Sequence, residues 1–133
     1  FEDRSLFILR SKERLQGFRR NVLFQRRPHR DRSLEKLAEE MQRGLQSQRF
    51  KELSLSDPQE LTIDGADAIA IDFSHQQRVT GEDGTELMLE LVRKQIICIK
   101  DDFVYEITIS DTANFIAENE AEYQQFLETL KLP

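Results

Sequence analysis

A chain of 133 residues, 38% hydrophobic and 33% charged, has the size and composition of one globular domain. A domain of this length buries about two-thirds of its unfolded surface, so it needs neither disulfides nor metals for stability. No apolar run approaches the ~20 residues of a membrane-spanning helix, and no signal peptide is visible. The formal net charge of −6 hides an asymmetry: residues 1–50 carry 13 Lys/Arg against 7 Asp/Glu, whereas residues 51–133 carry 6 against 18. Such a split marks either an interaction surface or two parts of one fold, or of two protomers, that attract each other.

Ser5 to Leu9 is short, apolar and flanked by charge, the pattern of a strand. Arg10 to Gln16 is polar, and Gly17 supplies a turn. Phe18 to Arg27 alternates, with Phe18, Arg20, Val22 and Phe24 on one face and Asn21, Leu23 and Gln25 on the other. Pro28 ends that strand, because proline cannot donate to a ladder. Ser33 is a good N-cap with Glu35 in the first turn. Leu34, Leu37, Ala38, Met41 and Leu45 then recur at helical spacing, an amphipathic helix that fades near Gln46 to Arg49.

After Pro58 the period becomes two. Glu60 to Ile63 is a strand, Asp64-Gly65 is a strong hairpin signal, and the partner strand runs from Ala66 to about Gln76. On it Ile69, Ile71 and Phe73 share one face; Ala68, Ala70, Asp72 and Ser74 share the other. Gly81 to Gly84 is a loop. A long strand follows from Thr85 to about Lys100, with Leu87, Leu89, Leu91, Ile97 and Ile99 of one parity. Asp101-Asp102 turns the chain, and Phe103 to Ser110 returns with Phe103, Tyr105, Ile107 and Ile109 on one face. Tyr123, Phe126, Leu127 and Leu130 recur at helical spacing and close the chain.

The order is β-β-α-β-β-β-β-α. It predicts one α+β domain over residues 1–133, a twisted antiparallel sheet of about six strands with two main helices covering one face or one face each.

The chemical inventory is thin. Cys98, the one cysteine, excludes an internal disulfide and a cysteine-rich zinc site, and its isoleucine flanks make it a small buried residue. His29 and His75 lie far apart without neighbours at metal-ligand spacing. No nucleophile elbow, P-loop or dinucleotide fingerprint is present. Asp72, Glu90 and Glu106 could gather on one sheet face, yet a solvated face with Lys/Arg partners such as Lys94 is the favoured account of them. The stretch Arg10 to Arg32 holds nine Lys/Arg with Phe18 and Phe24 interleaved, a pattern of single-strand binders. The acidic balance of the whole domain argues against nucleic acid. The reading is therefore non-enzymatic, with no cofactor and no metal.

One surface stands out. With the apolar parity assigned to the core, the opposite face carries Leu23, Ala68, Ala70, Met88, Val92, Val104 and Thr108. This mixed face of small and flexible apolar residues becomes a groove for a peptide or helix if no helix covers it.

The opening Phe1-Glu2-Asp3-Arg4-Ser5, the strand Phe18-Arg19-Arg20-Asn21-Val22, the helix start Ser33-Leu34-Glu35-Lys36-Leu37, the hairpin Leu61-Thr62-Ile63-Asp64-Gly65-Ala66-Asp67-Ala68 and the strand Phe103-Val104-Tyr105-Glu106-Ile107-Thr108 together resemble the DcrB-related domain of the PsbP-like α/β/α superfamily. The resemblance spans nearly the whole chain, and its motifs are structural. It implies a non-catalytic role. One branch comprises effector-associated (Eag) chaperones of bacterial type VI secretion, cytoplasmic homodimers that shield a transmembrane or apolar helix of a secreted effector on the sheet. Another comprises exported lipoproteins, and photosystem accessory subunits are more distant. The expectation is a chaperone or adaptor of the first kind, cytoplasmic and homodimeric. The alternative is an exported accessory or lipoprotein domain, periplasmic or in the thylakoid lumen.

Overall fold

The structure, a computed structural model, describes residues 5–10, 21–81 and 83–132. The expected polar stretch and turn over residues 11–17 and the start of the second strand lie outside the described residues. Seven strands and three helices follow in chain order: β1 (Ser5–Arg10), β2 (Asn21–Pro28), α1 (Leu34–Ser47), β3 (Lys51–Leu55), β4 (Gln59–Ile63), β5 (Ala66–Thr80), β6 (Glu86–Lys100), β7 (Phe103–Thr112), α2 (Ala113–Glu118) and α3 (Glu120–Thr129). The strands form one antiparallel sheet in the order β1-β2-β7-β6-β5-β3, and β4 also pairs with β5. The sheet is thus six positions wide, with β3 and β4 sharing the last. This is the α+β fold with a sheet of about six strands that the sequence predicts.

Local chemistry explains the elements. Ser33 caps α1, its Oγ accepting from the Lys36 amide at 3.1 Å. Leu37, Ala38, Met41 and Leu45 are the buried residues of α1. Both two-residue hairpins place their central residues at positive φ, as a type I′ turn requires: Asp64 and Gly65 at 48° and 78°, Asp101 and Asp102 at 49° and 66°. Asp64 does more than turn the chain. Its carboxylate accepts from Lys100 Nζ at 2.6 Å and from the Leu132 amide at 3.0 Å, tying the C-terminal segment to the β4–β5 hairpin. The Lys100 hydrogen bond, then that amide, draw its pKa down to about 2.

The two-residue β6–β7 turn also decides which residues share a face. Pairing Lys100 with Phe103 puts odd positions of β6 opposite even positions of β7. Ile97 therefore sits beside Glu106, and Ile96 beside Ile107. The expectation that the odd residues of both strands line one core face is corrected by this register. The sheet has two apolar faces instead, each with its own helix.

Beneath α1, the residues Leu37, Ala38, Met41 and Leu45 pack on Ile69, Ile71, Phe73, Ile97 and Val104. On the opposite face Leu127 of α3 packs with Ile63, Ala68, Ala70, Ile96, Cys98, Tyr105, Ile107 and Ile109. Phe24 meets Phe126 edge-on at 6.4 Å, so this second core extends to β2. Of the two coverings the sequence left open, one helix per face is the one found.

The β5–β6 hairpin outruns its neighbours. β7 follows β6 only as far as Leu91, and β3 follows β5 only as far as Gln76. From Gln77 to Thr80 and from Glu86 to Glu90 the two strands pair, among the described residues, only with each other, a projecting ribbon on which Leu87 and Met88 are 39% and 42% exposed.

Candidate functional site: the half-buried side of the sheet

The seven residues expected to form one surface are divided by the register. Ala68, Ala70, Met88 and Val92 lie on the α3 face; Leu23, Val104 and Thr108 lie on the α1 face. Ala68 (1% exposed), Ala70 (5%) and Val104 (2%) are core, which removes them from any contact surface. The correction has one cause: the faces were assigned by parity across a hairpin whose two-residue turn inverts parity.

The carboxylates are likewise dispersed. Asp72, on the α3 face, pairs with Lys94 at 3.0 Å. Glu106, on the α1 face, pairs with Arg27 at 2.6 Å. Glu90 is exposed on the ribbon. No two of the three share a neighbourhood, so the acid cluster that could have supported hydrolytic chemistry does not form. Among the described residues no group of His, Cys, Asp and Glu is arranged to hold a metal ion. Burial pushes the Cys98 thiol up to about 11, far from the range of a reactive thiolate.

Two places on the sheet remain. The first lies on the α3 face, a cavity of 220 Å³ between the sheet and the α2–α3 helices. Its walls combine Val92, Ile109, Ile116 and Leu127 with the Asp72–Lys94 pair and Tyr123. Tyr123 donates to the fully buried Asp111, which also accepts from the Thr112 amide. Asp72 with Lys94 and Tyr123 with Asp111 are pairs within or beside this cleft, which suits a structural joint between sheet and helices.

The second is the side of the α1 face that α1 leaves. The core under α1 draws on β5, β6 and Val104 but on no residue of β2. Across β2, β7 and β6 the register then sets Leu23 beside Thr108 and Thr108 beside Gln95. All three are half-buried and belong to neither core. The neighbouring row carries Gln25 and the Glu106–Arg27 pair, whose charges neutralise each other. Leu23 and Thr108, two of the residues singled out by their sequence pattern, thus meet as direct cross-strand neighbours. Gln95 was missed, because a polar residue interrupting an apolar strand reads as solvent-facing.

At one end this floor becomes buried and polar. The next row sets Ser110 beside Arg93 and Arg93 beside Phe73; His75 follows two residues along β5. The His75 ring lies 4.4 Å from the Phe50 ring, tilted by 33°, and near-parallel to Phe73 at 6.2 Å. Burial, reinforced by the charge of Arg93, holds its pKa below the ordinary value of 6.5.

No protein-family model matches the chain, and no curated protein matches it. Among solved structures it is similar to PA94 of Pseudomonas aeruginosa, a protein of unknown function and candidate regulator, with a TM-score of 0.64 at 17% identity over 100% of this chain and 86% of that one. At that identity the likeness establishes a shared fold.

Proposed function

We propose that this domain is a non-enzymatic binding module, a chaperone or adaptor that receives an apolar helical segment of a partner protein. The observation that carries the reading is the row Leu23–Thr108–Gln95, half-buried, outside both cores and flanked by α1. A helix laid there would meet Leu23 and the Thr108 methyl, with a hydroxyl and an amide able to hydrogen-bond it. Membrane-type helices associate through that combination of close packing and polar contacts. The acid that sits on the floor, Glu106, is neutralised by Arg27, so a lipid-seeking helix would not face a bare charge there. The resemblance to effector-associated chaperones points the same way and suggests a cytoplasmic site of action on a segment awaiting export. Among the described residues no helix is long and apolar enough to cross a membrane.

The proposal includes a homodimer. The ribbon, with its unpaired outer edges and exposed Leu87 and Met88, supplies a self-complementary contact of the kind two-fold dimers use.

Co-expression with the apolar segment, about 20 residues long, of an effector encoded beside its gene tests the reading. The two should co-purify, and Leu23→Arg should abolish this while leaving the thermal unfolding of the domain intact. Failure to bind any such segment, or binding that survives Leu23→Arg, would sink it.

A further inference from the structure

A cavity of 270 Å³ lies where β2 runs into α1. Arg27, His29, Arg30, Arg32 and Glu40 line it, and the core residues Leu37 and Val104 form its apolar floor. The basic stretch of the sequence that ends at Arg32 thus converges on one concavity. Its lining carries three guanidiniums against one carboxylate, an excess of two positive charges on a chain whose net charge is −6. Guanidiniums gathered around one recess repel each other, and a chain with acids to spare places only Glu40 among them. A concave site lined by one sign of charge concentrates ions of the other sign.

The fold fixes this lining. The His29 amide donates to the Asp102 carbonyl at 2.8 Å, which ties the β2–α1 loop to the β6–β7 turn. The His29 ring donates through Nε2 to the Arg32 carbonyl at 2.7 Å. Arg27 is seated on β2 opposite Val104, and Arg32 is held to α1 by Glu40 at 2.6 Å. These pairings leave donors over. Arg27 reaches Glu106, and Arg32 reaches Glu40, through Nη1, so the Nη2 edge of each guanidinium remains for another acceptor. The exposed Arg30 side chain makes no ion pair or hydrogen bond among the described residues.

We propose that this cavity binds a phosphate group, free or as a compact monoester. The excess of two positive charges matches a phosphate dianion, whereas a carboxylate carries one charge. Guanidiniums donate to phosphate oxygens through paired N–H groups. The volume falls just below the range of about 300–1,000 Å³ usual for ligand pockets, which suits a phosphate bearing a few carbons. Leu37 and Val104 meet the carbon part of such an ester. The site does not rest on the helix-binding row, because Leu23, Thr108 and Gln95 are off its lining.

Isothermal titration calorimetry of the intact domain with glycerol phosphate, inorganic phosphate and acetate, as sodium salts at matched ionic strength, tests it. Glycerol phosphate should bind saturably at one site per chain, and acetate should not. Tighter binding of the ester than of inorganic phosphate identifies a monoester as the occupant; equal affinity identifies the free ion. Arg30→Gln should weaken binding about tenfold, and Arg32→Gln at least as much. Arg43→Gln removes the same charge from the exposed side of α1, off the lining, and should leave binding unchanged. Because Arg30 has no partner in the fold, its variant should unfold at the temperature of the parent, so its loss of binding is not loss of folding. Absence of saturable phosphate binding, acetate binding of equal strength, or unchanged affinity in both Arg30→Gln and Arg32→Gln would each overturn the assignment. An equal loss in Arg43→Gln would do the same, since it marks general charge attraction rather than a site.

Discussion

On the α3 face Ala70, Ile96 and Ile107 form one continuous apolar row across β5, β6 and β7 that ends at Phe24 on β2. On the α1 face the adjacent rows run from Phe73 and Ile71 into Arg93, Ser110, Gln95 and Thr108. Both faces are built from the same four central strands, so strand propensity does not distinguish them. What differs is how far a helix reaches. Under α3 the centre of the sheet is apolar, and the polar groups at its end are held by partners, Asp111 by Tyr123 and the Thr112 amide, Asp72 by Lys94. Where α1 stops, polar side chains begin, and a face that stability alone would make apolar carries hydrogen-bonding groups. The α3 side holds one of the two cores, and the proposed recognition surface is the α1 side beyond the helix.

Core truncation should separate the faces most strongly. Ile107 is 0% exposed within the α3-side core, so Ile107→Ala should lower the unfolding free energy by about 2–5 kcal/mol. Leu23→Ala, on the half-buried row, should cost less than about 1 kcal/mol. Urea titrations of the two variants check this, and equal losses would erase the distinction.

Acid should expose the buried histidine. The folded pKa of His75 is lowered by burial below 6.5, so the unfolded chain binds the proton more readily. The contribution is complete above that value and is lost as pH falls through it towards the folded pKa. His75→Phe should flatten this part of the stability curve below about pH 6.5. Facing groups to be considered are Arg93, whose charge pushes in the same direction, and the neighbouring Phe50 and Phe73, which do not titrate. A curve of unchanged slope in the variant would assign the acid loss elsewhere.

Ser110→Ala should have the smallest effect and the most informative sign. Removing an unsatisfied buried hydroxyl leaves no orphan behind, so stability should hold or rise by up to about 1 kcal/mol. A clear loss would show that Ser110 is bonded within the fold and that its row is structural.

Much of this was readable from residue order. Helix α1 follows from Leu34, Leu37, Ala38, Met41 and Leu45 behind a serine cap, since a 3.6-residue period leaves few alternatives. The hairpins follow from Asp64-Gly65 and Asp101-Asp102. The face assignment failed at the second of these, where the turn was recognised but its inversion of parity was not carried into β7. Strand β3 escaped notice because Glu52 has a positive φ of 53° and the register slips between Lys51 and Ser54, which spoils alternation over five residues. The extension of β5 to Thr80 was hidden by Gln76-Gln77-Arg78, whose composition reads as loop. Of the candidate surface, Leu23 and Thr108 were legible as a mixed strand face. Ser110 and His75 were not legible as buried, since polarity in a strand signals solvent and only tertiary packing reveals their burial.

The central claim, that recognition belongs to the α1 side beyond the helix, is tested most directly by methyl NMR of Leu23 against Leu127 while a partner's apolar helix is added. The Leu23 methyls should shift or broaden as the segment binds, and Leu127, inside the α3-side core, should stay in place. Movement of Leu127 and Ile116 at the 220 Å³ cleft with Leu23 unchanged would contradict the account and move recognition to the opposite face of the sheet.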